Sequence, residues 1–232
     1  MAEARRRLKV GVLLSGGGTN LQALIDACAD PAFPAEIVLV LSNNADAFGL
    51  KRAERAGIAT AVVDHRRFAD RPTFEAELDR VLRGAGVEAV CLAGFMRVLT
   101  EGFVEGWHDR MLNIHPSLLP AYKGLHTHQR ALDDKVAMHG CTVHFVRPAL
   151  DDGPLIVQAE VPVRPDDDAE TLAARVLTRE HEIYPLALRL LGEGRVRVVG
   201  DGTEVDGRPG PKRLAWQNHA GGRSGPSAPI AS

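Results

Sequence analysis

Asn113 and His115 stand two residues apart in Leu112-Asn113-Ile114-His115. In an extended strand that spacing puts a carboxamide and an imidazole on one face, and Pro116 keeps His115 extended. Imidazole exchanges a proton near neutral pH. A carboxamide can donate to a developing negative charge. Downstream, Asp151 begins Asp151-Asp152-Gly153-Pro154, a loop between two apolar runs. A hairpin there would bring Asp151 back over the strand ends and complete a proton-transfer set. Asp152 reads as a turn residue. His126, His128, His139 and His144 crowd the same stretch. His126-Thr127-His128 has spacing that metal ligands use, but no HExxH or CxxC pattern accompanies it, so no metal is expected.

A second chemical feature lies near the start, in Ser15-Gly16-Gly17-Gly18-Thr19-Asn20. Glycines let the backbone approach a ligand closely. N–H groups at the start of a following helix face an anion. The loop lacks the Gly-Lys-Ser/Thr ending of a P-loop, and Leu21 stands where a dinucleotide fingerprint has its third glycine. A single phosphate on Gly18, Thr19 and Asn20 fits as well as a pyrophosphate. Arg71 and Arg97 stand beside other loops, where a guanidinium can grip a carboxylate or phosphate. Met96, Val98 and Leu99 suit a pocket wall or core.

Positioning these residues requires a scaffold. Leu8–Leu14 is a nearly continuous apolar run suited to a strand buried on both faces. Leu21, Leu24, Ile25 and Cys28 follow with helical spacing. Strands at 37–41, 60–63, 87–92 and 111–115 alternate with helices at 47–56 and 72–82. That alternation predicts βαβ units, with ligands at the carboxyl ends of the strands. A helix from about residue 126 to Asp134 follows, then strands at 140–146 and 155–161, which close the sheet as a hairpin. A long helix at 169–191 carries Pro185, which predicts a kink or break. Arg195–Val199 is one more short strand. The expected fold is therefore α/β: one domain, a Rossmann-like, mostly parallel sheet flanked by helices, with an antiparallel hairpin near the C-terminal part. Residues 1–205 form this domain, and 206–232, rich in Gly, Pro, Ser and Arg, form a flexible tail.

The chain has 232 residues and a formal net charge of −2. Such a balance argues against a general nucleic-acid binder. No apolar run reaches the roughly 18 residues of a membrane span, and the start lacks a signal-peptide cleavage site. Cys28, Cys91 and Cys141 are far apart and read as reduced thiols of a cytoplasmic protein.

Several of these segments together resemble the folate-dependent glycinamide ribonucleotide formyltransferases of the formyltransferase fold family. They are Ser15-Gly16-x-Gly18-x-Asn20-Leu21-Gln22, Ser42-Asn43-x-x-Asp46-Ala47, Leu92–Arg97, Asn113-Ile114-His115-Pro116-Ser117-Leu118-Leu119-Pro120, Thr142–Val146 and Asp151 with Gly153-Pro154. The likeness covers roughly Leu8 to Leu191. It implies formyl transfer from 10-formyltetrahydrofolate to the amine of glycinamide ribonucleotide in purine synthesis, through a tetrahedral oxyanion. Asn113 and protonated His115 would be the oxyanion donors. Asp151 would support the protonated ring or relay a proton through water, and His144 would support the pocket. Gly18, Thr19 and Asn20 would hold the substrate phosphate, and Glu180 its other polar groups. The folate would meet Met96, Arg97, Val98, Leu99, Asn113, Arg147, Leu150 and Asp151, with Arg71 on its glutamate tail. The implied partners are these two small molecules, without metal, nucleic acid or membrane; a homodimer is compatible with this reading. Related tRNA formyltransferases add a C-terminal domain and formyl-folate deformylases an N-terminal one, and their absence here favours the ribonucleotide enzyme. A deformylase is the alternative reading. Asp152 replaces a glycine common in the family, and Cys141 a frequent serine.

Overall fold

A computed structural model describes residues 6–216. An eight-stranded sheet runs through it in the order β11-β7-β6-β5-β4-β1-β2-β3. Its strands are β1 (Leu8–Leu14), β2 (Ala35–Ser42), β3 (Thr60–Val62), β4 (Ala89–Leu92), β5 (Met111–His115), β6 (Met138–Phe145), β7 (Leu155–Pro162) and β11 (Lys212–Leu214). β1 to β5 are mutually parallel, so their carboxyl ends share one edge. β6 pairs antiparallel with both β5 and β7. The apolar run in β1 is explained by its central place: Val10, Val12, Leu13 and Leu14 have no exposed surface.

Helices cover both faces: α1 (Thr19–Cys28), α2 (Phe48–Arg55), α3 (Arg71–Gly84), α4 (Glu101–Gly106), α5 (Thr127–Asp133) and α6 (Ala169–Gly192). Asp70 accepts from the Thr73 amide at 2.9 Å and starts α3, and Asp168 accepts from Thr171 at 2.7 Å to start α6. Such caps satisfy amides that have no partner within the helix. Pro185 does not break α6, which continues through it to Gly192. Packing offsets the lost hydrogen bond. Val176, Ile183, Ala187 and Leu188 are fully buried, and the Tyr184 hydroxyl donates toward the carbonyls of Leu92 (2.9 Å) and Leu112 (3.2 Å).

The expected tail is not wholly a tail. The predicted strand at 195–199 is β8 (Val196–Val199), paired in a small antiparallel sheet with β9 (Gly202–Val205) and β10 (Arg208–Pro209). β11 then joins the main sheet parallel to β7, and Trp216 packs on the core. Composition alone hid this because two- and three-residue strands carry no periodicity. The remainder of that segment, 217–232, lies outside the described residues. Cys28, Cys91 and Cys141 are free thiols. No described helix is long and apolar enough to cross a membrane.

Candidate active site

Strand register decides which side chains meet. β5 and β6 place Asn113 opposite His144 and His115 opposite Thr142. Directly opposed residues share a face, so Asn113 and His144 touch, with the amide nitrogen 3.2 Å from His144 Nε2. His144 Nδ1 lies 2.9 Å from the carbonyl of Phe145. A carbonyl can only accept, so Nδ1 carries the hydrogen and Nε2 is left to accept from Asn113. Burial pushes the His144 imidazole down to about 4, and the Phe145 carbonyl and Asp151 offset only part of that. His144 is therefore a neutral acceptor at pH 7, and it orients the Asn113 amide with one N–H still free to donate elsewhere.

His115 is held from two loops. Its Nε2 lies 2.9 Å from the Tyr122 carbonyl, and its Nδ1 lies 3.4 Å from Asp151 Oδ2. Both ring nitrogens thus face acceptors. Asp151 Oδ2 also accepts from the Gly124 amide at 2.9 Å, and Oδ1 lies 3.8 Å from His144 Nε2. The Asp151 side chain is 8% exposed. Asn113, His115, Asp151 and His144 are brought into one cluster. The sequence assigned no site role to Tyr122 or Gly124: both contribute main-chain atoms, which residue type does not announce.

The glycine loop lies across the same edge. Gly18 is left-handed (φ 70°) at the start of α1, and no side chain caps that helix. Its first amides are therefore available to an anion. A Cβ on Gly18 would sit 2.8 Å from the Gly49 Cα. Gly18→Ala should therefore cost about 1–3 kcal/mol from the left-handed backbone and the close contact, read as a lower urea midpoint at unchanged slope. Asn20 donates from Nδ2 to Glu180 Oε2 at 2.6 Å, while its Oδ1 is buried without a protein partner. Burial raises the Glu180 carboxyl, and the Asn20 hydrogen bond partly opposes this. Thr19, the first residue of α1, is exposed.

Ser15 joins this loop to the one after β4. Its amide donates to the Gly94 carbonyl at 3.0 Å, and its hydroxyl accepts from the Met96 amide at 2.9 Å and donates to Asn43 Oδ1 at 2.6 Å. Met96, Val98 and Leu150 expose 72%, 60% and 58% of their surfaces, whereas Leu99 is buried. Arg71 is exposed at the start of α3, and Arg97 is half-buried beside Met96. The Arg147 guanidinium is engaged by Asp109 and the Val146 carbonyl. His128 and His139 pair at 3.2 Å, both lowered first by burial, and His126 is exposed.

Residues 8–188 match the formyl transferase family. A phosphoribosylglycinamide formyltransferase of Escherichia coli (strain K12) is 46% identical over 213 residues, 92% of this chain and 99% of that protein. The trifunctional purine biosynthetic protein adenosine-3 of Gallus gallus is 50% identical over 192 residues; the match takes in 83% of this chain and 19% of that longer protein. The solved phosphoribosylglycinamide formyltransferase of Coxiella burnetii superposes with a TM-score of 0.86 at 44% identity, covering 90% of this chain and all of that one. With this site on this fold, the chain belongs to the formyl transferase family.

Proposed function

We infer that this chain is a phosphoribosylglycinamide formyltransferase, moving a formyl group from 10-formyltetrahydrofolate to the amine of the ribonucleotide. The observation that carries the reading is the cluster at the end of β5. There an amide oriented by a neutral His144 and an imidazole facing a buried carboxylate stand on the same sheet edge as an uncapped helix start. Acyl transfer to an amine needs donors for the oxygen that gains charge and a route for one proton.

The ribonucleotide phosphate sits on the amides of Gly18, Thr19 and Asn20, with the Asn20 Oδ1 and Glu180 turned to its polar groups. The folate lies on Met96, Val98 and Leu150, backed by Leu99, with Arg97 and Arg71 free to meet its carboxylates. Arg147, being engaged by Asp109, shapes the loop that carries Leu150 and Asp151. The amine attacks the formyl carbon, and the carbonyl π-electrons move onto its oxygen. The free N–H of Asn113 donates to that oxygen. His115 joins it by exchanging the Tyr122 carbonyl for the substrate oxygen at Nε2, while Asp151 keeps its place at Nδ1. Collapse breaks the bond to the folate nitrogen; the proton lost by the amine matches the one gained there, with Asp151 and His115 as the relay. No covalent enzyme intermediate is formed.

The test is to follow the folate product with and without glycinamide ribonucleotide. Product should form only when the ribonucleotide is present; formate release without it would identify a hydrolase instead. Asn20→Ala should raise KM for the ribonucleotide about tenfold or more, the loss of roughly 1.4 kcal/mol, and leave KM for the folate nearly unchanged. Equal effects on both would overturn the assignment of the glycine loop.

A further inference from the structure

Two loops hold His115, and each uses a residue in a left-handed backbone: Tyr122 (φ 54°) supplies its carbonyl and Asp151 (φ 49°) its carboxylate. A non-glycine residue is disfavoured there by about 1–2 kcal/mol, so contacts elsewhere must keep both loops in place. The loops meet at Gly124, whose amide donates to Asp151 Oδ2 at 2.9 Å and where an added Cβ would lie 3.8 Å from Leu150 Cδ2. They also meet one residue beyond each holding residue, where the Lys123 ammonium pairs with the Asp152 carboxylate. Arg130 fastens the first loop from below, donating to the Lys123 carbonyl at 2.7 Å.

We propose that Lys123 and Asp152 are positioning residues: their ion pair latches the loop 121–124 to the loop 147–152, and so keeps Asp151 at Nδ1 of His115, the contact that the reaction retains. The role rests on reading His115 and Asp151 as the reacting centre. The pair is partly open to water, with side chains 36% and 56% exposed, so solvent screens it and its effect is modest. It acts by holding two strained segments in register, and added salt should weaken it.

The experiment uses the full chain in three forms: Lys123→Ala, Asp152→Gly, and the double variant Lys123→Asp with Asp152→Lys. Amide hydrogen exchange at Gly124 reads the closeness of the loops directly, and kcat with both substrates saturating reads the centre. Each single variant should speed exchange at Gly124 and lower kcat by about two- to fivefold, the range of an exposed ion pair. The charge-swapped pair should recover most of both. High salt should narrow the gap between wild type and the single variants. Unchanged Gly124 exchange in the single variants, or a swapped pair no better than either, would overturn the latch. Faster exchange with wild-type kcat would leave the latch standing and overturn instead the assignment of Asp151 to the reaction.

Discussion

His115→Ala should lower kcat about 10³-fold while leaving KM for either substrate within a few-fold. The imidazole has two jobs in the proposed reaction, donating to the developing oxyanion and passing a proton, and each is typically worth about 10²-fold or more. Its ring is buried between the Tyr122 carbonyl and Asp151. Asp151→Asn separates charge from shape. An asparagine can still accept from Gly124, so the loop should persist, but the negative charge facing Nδ1 is lost. We expect about 10²-fold lower kcat for that variant. Steady-state rates at saturating substrates check both, with urea unfolding to show intact folding. Near wild-type turnover in either folded variant would sink the mechanism.

The second large effect is on stability in mild acid. His144 titrates near 6.5 in the unfolded chain and is pushed down to about 4 by burial in the folded one. Between those values the unfolded state binds the proton and the folded state does not. Unfolding free energy therefore rises with pH across this window and falls as pH drops from about 6.5 to 4. At full effect this amounts to about 3 kcal/mol. His139, also lowered to about 4 by burial, adds in the same direction. Carboxylates such as Asp167, lowered by Arg175, lose their contribution only at more acid pH. Urea unfolding of wild type and His144→Gln at pH 7, 5.5 and 4.5 checks this. The wild type should lose stability faster, and parallel curves would show that His144 is not the group involved. Activity should fall over the same range for a linked reason. A protonated His144 would turn an N–H toward the Asn113 amide nitrogen, donor against donor, and release the amide from its orientation.

Much of this protein was legible from residue order. The run Leu8–Leu14 followed by three glycines and an amphipathic stretch specifies strand, loop and helix locally, and the same period repeats through residue 115. Asn113 and His115 share a face because a strand alternates with period two. A hairpin between the two apolar runs flanking its loop would bring Asp151 over the strand ends, and β6 and β7 do pair antiparallel. Tertiary structure decided the rest. His144 is tied to Asn113 by a β5–β6 register set by long-range pairing, and the Tyr122 carbonyl and Gly124 amide are groups every residue carries. Pro185 sits within an unbroken helix because burial of α6 outweighs a local preference. β11 forms because β7 offered an open edge to a segment whose own composition predicts no structure. Sequence thus determined the main strands and helices through residue 191 and put forward candidate side chains for the chemistry, since those depend on local periodicity and residue type. The proton positions and the ties between loops depend on which distant atoms meet, and only the folded chain decided them.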